Sequence, residues 1–105
     1  LEPSVSGRHD LERIHGVTRH FGVKALVCIN KWDLSQEMSE EIEKYCAKED
    51  LCVVGKIPFD PEVLDTIKKG LPVKNLLKTK AGTAIINMWK KVEGHLFKEI
   101  INWRR

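Results

Sequence analysis

The sequence predicts an α/β fold, a partial doubly wound parallel sheet of two or three strands flanked by helices, with a long C-terminal helix. Short, nearly continuous apolar runs at residues 23–29 and 51–57 have the composition of strands that are buried on both faces. Stretches with apolar residues at three- and four-residue intervals alternate with these runs, as helices do between parallel strands. This alternation implies right-handed crossover connections.

The first predicted helix covers about residues 6–21. Its apolar stripe consists of Leu11, Ile14, Val17 and Phe21. Gly22 follows, and glycine readily takes the left-handed conformation that ends a helix. The first strand comes next, and we expect Cys28 within it to be a small buried apolar side chain.

A polar loop at residues 30–36 leads into a second helix that runs to about Asp50. Its buried stripe is expected to contain Met38, Ile42, Tyr45 and Cys46. The second strand follows at residues 51–57 and stops at Pro58. We expect it to be buried like the first.

Helix-start signals are strongest around Asp60, a good N-cap that precedes Pro61 at the first helical position. The apolar stripe of this third helix is Val63, Leu64 and Ile67, and Gly70 and Pro72 end it. A last helix is predicted over about residues 81–103. One side of it carries Ile85, Trp89, Val92, Leu96, Ile100 and Trp103, of which the two tryptophans are expected to anchor a core or an interface.

Composition narrows the class of protein. A hydrophobic fraction of 42% and a charged fraction of 31% describe an ordinary soluble globular chain. The net charge of +3 comes without a Lys/Arg stripe, so we expect no nucleic-acid partner. No apolar stretch approaches about 18 residues, which predicts no membrane span. An odd number of cysteines, three, without a CxxC pair, and the absence of a leader sequence favour the cytoplasm.

Two strands do not complete a doubly wound sheet, so residues 1–105 are expected to be one partial domain of a longer protein.

The histidines form no metal-binding or catalytic pattern. They are His9, His15, His20 and His95. We expect them to be solvated on helix surfaces, and the sequence suggests neither a catalytic residue nor a metal ligand.

Two loops stand where a parallel sheet binds its ligands, beyond the carboxyl ends of the strands. In the first loop, the Asn30 amide can donate and accept hydrogen bonds at a purine edge. The Lys31 stem can lie over the base, and Asp33 can accept hydrogen bonds from base or ribose. In the second loop, Pro58, Phe59 and Asp60 hold an extended backbone that can contact a base edge. Turn formation in the first loop and helix capping in the second are the alternative explanations.

Three segments resemble one family. They are Glu-Pro-Ser-Val-Ser-Gly-Arg-His-Asp-Leu at 2–11, Ile-Asn-Lys-Trp-Asp-Leu at 29–34 and Gly-Lys-Ile-Pro-Phe-Asp-Pro-Glu-Val at 55–63. In this order they resemble the C-terminal part of MinD/ParA-type P-loop ATPases of the CobQ/MinD superfamily, particularly the branch with an inserted ferredoxin-like domain. The resemblance extends to about residue 90.

The resemblance implies an ATP or ADP site that uses Mg²⁺ in the full-length parent, where an iron–sulfur cluster can also occur outside this chain. It implies that Asn30 contacts adenine and that Ile57, Pro58, Phe59 and Asp60 lie along the base and ribose. Residues 2–7 correspond to a segment near the nucleotide and the dimer face. The implied partners are the nucleotide, a second copy of the chain and the missing N-terminal part of the parent.

The phosphate-binding loop of this family has no counterpart in the sequence. Such a loop needs glycines whose backbone N–H groups reach the phosphates, followed by Lys and Ser or Thr. The only Gly-Lys pair, Gly55-Lys56, is followed by Ile57, and Asp50 stands where the leading glycine is needed. We therefore expect this chain not to hydrolyse ATP alone.

Two other functions remain open. Asn-Lys-Trp-Asp at 30–33 also matches the guanine-recognition motif of GTPases, in which the position of Asp33 accepts from the guanine ring. The Ile-Pro-Phe-Asp segment after the second strand, in place of a Ser-Ala-Lys loop, favours adenine. The apolar last helix and an open strand edge instead suggest an interaction module, and we expect a dimer or higher oligomer, formed through strand pairing or exchange.

Overall fold

The computed structural model describes the backbone of residues 1–104 and the side chains of residues 1–99. The helices are α1 (Val5–His20), α2 (Gln36–Lys48), α3 (Pro61–Lys68) and α4 (Lys80–Arg104), and the strands are β1 (Leu26–Asn30) and β2 (Cys52–Ile57). Two short 3₁₀ helices, which the sequence did not predict, cover Trp32–Leu34 and Val73–Lys78. The predicted α/β class and the long C-terminal helix are confirmed.

The two strands pair in parallel, from Leu26 opposite Cys52 to Asn30 opposite Ile57. The register shifts once, between Val27, which pairs with Val53, and Cys28, which pairs with Gly55. This leaves one extra residue, the buried Val54, on β2. The shared direction of the strands puts both of their carboxyl ends at one edge of the sheet.

The first residue of the chain lies along the other side of β1. The Leu1 amino group donates to the Cys28 carbonyl oxygen at 2.8 Å, and the Leu1 carbonyl oxygen accepts from the Asn30 N–H at 2.7 Å. This is the hydrogen-bond pattern of a parallel neighbour centred on Ile29, so β1 is paired on both sides at its carboxyl end.

The hydrophobic core lies between α1, β1 and α2. Its buried members are Leu11, Val27, Ile29, Ile42 and Cys46. The predicted stripe of α2 supplies two of them, and the alternation of β1 supplies two more. Val54 of β2 and Ala81 of α4 are also buried.

Several members of the predicted apolar stripes are exposed. They are Ile14 and Val17 on α1, Phe21 at its C-terminal cap, Leu64 and Ile67 on α3, and Ile85, Trp89 and Leu96 on α4. Cys28 is half-buried, and Val54 is the only buried residue of β2. The physical reason is that helical spacing identifies an apolar face, whereas burial also requires a surface that covers it, and two strands cover little. Ile100 and Trp103, which the sequence places on the same stripe of α4, lie beyond the side chains that the structure describes.

The expectation of solvated histidines is wrong for His15. Its side chain is 7% exposed, between α1 and α2, and its Nδ1 lies 3.0 Å from the Tyr45 hydroxyl oxygen. His9 and His20 are exposed as expected. His95 is half-buried, with its Nε2 3.4 Å from Cys52 Sγ.

The predicted helix ends agree with the structure. Gly22 and Gly70 both have φ of 65°, the left-handed conformation expected after α1 and α3. The Asp60 side chain accepts from the Glu62 N–H at 3.0 Å, which confirms it as the N-cap of α3. Ser35 caps α2 by accepting from the Met38 N–H at 3.2 Å.

Candidate functional site

A cleft of about 570 Å³ lies at the carboxyl edge of the sheet. The loop after β1, the segment after β2, α3 and the start of α4 form its walls. Its lining residues are Asn30, Lys31, Ile57, Pro58, Phe59, Asp60, Val63, Leu64, Ile67, Ala81 and Ile85. The structure therefore brings together six of the seven residues that the sequence suggested for a site, and it leaves out Asp33.

The parallel register explains why the two loops meet. Asn30, the last residue of β1, pairs directly with Ile57, the last residue of β2. The Asn30 side chain is exposed, so its amide is open to a ligand in the cleft. Phe59, 49% exposed, contributes an aromatic ring to the opposite loop.

Lys31 makes the sharp turn that leaves β1. Its backbone has φ of 54° and ψ of 43°, a left-handed conformation that costs a non-glycine residue about 1 kcal/mol. The turn is held by the Leu34 N–H, which donates to the Lys31 carbonyl oxygen at 3.1 Å. The Lys31 ammonium lies 3.3 Å from Glu2 Oε1, so this lysine carries an ion pair as well as lining the cleft.

Asp33 joins the two loops. Its Oδ1 accepts a hydrogen bond of 2.7 Å from the backbone N–H of Phe59, 26 residues further along the chain. The carboxylate is exposed, but it contacts the segment that forms the cleft wall and does not itself line the cleft.

Asp60 joins two helices. While its Oδ1 caps α3, its Oδ2 accepts from the Ala81 N–H at 3.2 Å in the first turn of α4. The cap was predictable from the sequence. The second bond was not, because it depends on where α4 begins in space.

The apolar wall of the cleft was missed as part of a site. Val63, Leu64 and Ile67 stand out in the sequence only as the apolar stripe of a helix. Ala81 and Ile85 are four residues apart on α4, and nothing local distinguishes them from other core candidates. With this wall in place, the cleft can hold a flat, largely apolar group whose polar edge faces Asn30.

The Gly55-Lys56 pair lies inside β2 and does not form a loop between strand and helix. A Cβ on Gly55 would lie 2.8 Å from Met88 Cβ, so this glycine lets α4 pack closely against the strand. The Lys56 ammonium lies 3.1 Å from Glu43 Oε1 and 5.0 Å from the centre of the Trp32 ring.

Comparison with solved structures finds a likeness to a cell division protein. The chain superposes on the MinD cell division protein of Aquifex aeolicus with a TM-score of 0.65 and 24% sequence identity. The fold of this chain is MinD-like. The match covers 90% of this chain but only 42% of that MinD chain. No protein-family model matches the sequence, and no curated protein matches it.

Two further observations concern membrane-spanning helices and metal sites. Within the described residues, no helix is both long and apolar enough to cross a lipid bilayer. Among the side chains of residues 1–99, no group of three or more His, Cys, Asp or Glu is arranged to hold a metal ion.

Proposed function

We propose that this chain forms the adenine-base side of the nucleotide site of a MinD-type P-loop ATPase. One observation carries the proposal: Asn30 and the Ile57–Asp60 segment line a single apolar cleft at the carboxyl edge of a parallel sheet. Ligands of open α/β sheets bind at this edge. The MinD-like fold supports the same assignment.

The chemistry of the cleft suits a purine. Small-molecule sites are typically apolar clefts of about 300–1,000 Å³ with a few polar groups that fix orientation, and this cleft of about 570 Å³ has that character. The Asn30 amide can accept from an exocyclic amine and donate to a ring nitrogen, which matches the edge of adenine. The backbone carbonyl groups of Pro58 and Phe59 offer further acceptors, and Phe59 and Ile85 can contact the faces of the base.

The phosphate side of the site would come from elsewhere. The Gly-Lys pair of this chain is in a strand, so we propose that the remainder of a parent ATPase supplies the phosphate-binding loop and holds Mg²⁺. On this proposal the chain does not hydrolyse ATP alone. The three sequence segments at 2–11, 29–34 and 55–63 further support a parent in the branch with an inserted ferredoxin-like domain, in which an iron–sulfur cluster can occur.

Guanine is the second candidate. Asn30, Lys31 and Asp33 stand at the spacing of the guanine-recognition motif. A carboxylate at the last position can accept from the ring N–H and the exocyclic amine of guanine, so the two bases must be compared directly.

Titration calorimetry of the 105-residue chain with ADP, ATP, GDP and GTP tests the proposal. We expect binding that is selective for adenine nucleotides, and we expect the Asn30→Ala variant to bind them about tenfold more weakly, the effect of losing a hydrogen-bonding side chain. The exposed Asn87, on α4 and away from the cleft lining, provides a matched control as Asn87→Ala.

Three results would decide against the proposal. Selectivity for GDP and GTP would favour the GTPase alternative. Absence of binding to all four nucleotides would mean that the chain has no base site of its own. Magnesium-dependent phosphate release by the purified chain would contradict the assignment of the phosphate side to another segment.

A further inference from the structure

Asp33 occupies the position at which a guanine-binding motif reads its base, yet here its carboxylate is engaged within the protein. Its Oδ1 accepts the Phe59 N–H at 2.7 Å, and the residue does not line the cleft. Recognition of guanine by a carboxylate uses both oxygens, one for the ring N–H and one for the exocyclic amine. One of the two is already occupied.

We infer that Asp33 is a positioning residue that makes the cleft selective for adenine. Its carboxylate holds the Ile57–Asp60 segment against the loop after β1, so that Asn30 and the backbone of that segment meet the base. The inference rests on the proposed function and adds to it the residue that sets the specificity of the same site.

The argument begins with how the segment is anchored. Three residues, Pro58, Phe59 and Asp60, connect β2 to α3. The β2 end is fixed by pairing with β1, and the α3 end is fixed by Asp60, which bonds both to Glu62 N–H and to Ala81 N–H. Between these points, the bond from Phe59 to Asp33 ties the middle of the segment to the neighbouring loop.

The second step concerns Asp33 itself. The residue lies within the 3₁₀ helix Trp32–Leu34, which follows the left-handed turn at Lys31. This short helix is fastened to α2, because the Ser39 hydroxyl donates to the Trp32 carbonyl oxygen at 2.7 Å. The carboxylate is therefore presented by a held turn, and its hydrogen bond fixes the distance between the two loops.

The third step concerns the base. With Asp33 turned to the Phe59 N–H, the exposed side-chain amide left at the cleft edge is that of Asn30. An amide offers one acceptor and donors, the complement of adenine, which presents an amine beside a ring nitrogen. Guanine needs the two acceptor oxygens of a carboxylate, and the carboxylate of Asp33 does not line the cleft.

Two substitutions at one position test the inference. Asp33→Asn keeps a side-chain oxygen that can accept from the Phe59 N–H, whereas Asp33→Ala removes it. We expect the Asn variant to bind ADP within about twofold of the unchanged chain and the Ala variant to bind about tenfold more weakly, as for the loss of one charge-assisted bond. Neither variant should gain affinity for GDP.

Amide hydrogen exchange at Phe59, followed by NMR, provides a readout that needs no nucleotide. The Phe59 N–H should exchange slowly in the unchanged chain and in Asp33→Asn, and faster in Asp33→Ala. Circular dichroism of the Ala variant checks that the fold is intact.

The outcomes separate the two proposals. Equal ADP affinity in Asp33→Ala, or an unchanged exchange rate at Phe59, would overturn the positioning role. GDP binding that Asp33→Asn abolishes would also overturn it, since Asp33 would then read the base. If the unchanged chain binds no nucleotide, the proposed function fails, and hydrogen exchange at Phe59 alone decides whether Asp33 positions the segment.

Discussion

Around the cleft, short polar side chains act on the backbone of the protein. Asp33 accepts from the Phe59 N–H, Asp60 accepts from Glu62 and Ala81, and Ser35 accepts from Met38. Helix starts leave their first N–H groups without partners, and these side chains satisfy several of them. The Asp33 bond is different, because it joins two loops and is not a cap.

The three cysteines occupy different environments. Cys46 is 1% exposed, and burial, with Glu43 nearby as a smaller cause, raises the pKa of its thiol. Burial also raises the pKa of the half-buried Cys28 thiol. Cys52 is exposed at the start of β2, beside His95.

We predict that a thiol reagent labels Cys52 first and Cys46 last in the native chain. The thiolate is the reactive form, so a raised pKa and burial both slow the reaction of Cys46. Peptide mapping after timed labelling measures the order. Labelling of Cys46 as fast as Cys52 without denaturant would contradict the prediction.

The same raised pKa predicts how stability depends on pH. The folded state keeps the Cys46 thiol neutral. The contribution of this thiol to the free energy of unfolding is therefore fully present below the pKa of the unfolded thiol, near 8.5. That contribution is lost as the pH rises through the higher pKa that Cys46 has in the folded state. Urea unfolding across this range should show stability falling at alkaline pH, and a Cys46→Ala variant should lose the part of that fall due to Cys46.

At the scale of elements, the contact between β2 and α4 depends on one glycine. A methyl group on Gly55 would lie 2.8 Å from Met88 Cβ, so the helix or the strand would have to move. On α1, Gly16 has no atom within 4 Å of the corresponding position. The two glycines therefore offer a matched pair of tests.

We predict that Gly55→Ala lowers the free energy of unfolding by about 1–3 kcal/mol, the usual cost of overpacking. Gly16→Ala should raise it by roughly 0.5–1 kcal/mol, because alanine favours the helix more than glycine does. Urea denaturation measures both. Two results would mean that α4 does not pack on β2 as described. One is a Gly55→Ala variant with an unchanged free energy of unfolding. The other is a Gly55→Ala variant whose lost stability is not restored by adding Met88→Ala.

At the scale of the molecule, the apolar surface is too large for the sheet to cover. The principal extents of 46 × 36 × 18 Å describe a flat body. Phe21 is 72% exposed at the C-terminal cap of α1, and Trp89 is 55% exposed on α4. Exposed apolar patches are typical of interfaces, which favours the self-association expected from the sequence.

We predict that the chain forms a dimer or higher oligomer whose mass rises with concentration. Trp89→Glu should weaken association by placing a charge on the apolar face of α4, and Lys90→Glu, at the exposed neighbouring position, is the matched control. Sedimentation velocity measures both. A monomeric mass at every concentration would contradict the prediction.

The sequence by itself determined the element order, the parallel class and most helix ends. Apolar periodicity, N-caps such as Asp60 and terminators such as Gly22 and Gly70 are local signals, and each acts within a few residues. The two loops of the candidate site were predictable for the same reason, since each directly follows a predicted strand.

Only the tertiary structure decided which apolar faces are covered and which distant groups the site carboxylates contact. The exposure of Phe21, the burial of His15 against Tyr45 and the bond from Asp33 to Phe59 all depend on residues distant in the chain. Spacing along a helix shows that a face is apolar, but burial needs a partner surface. A side chain can likewise bond only to groups that the fold brings within about 3 Å, and no local pattern specifies those groups.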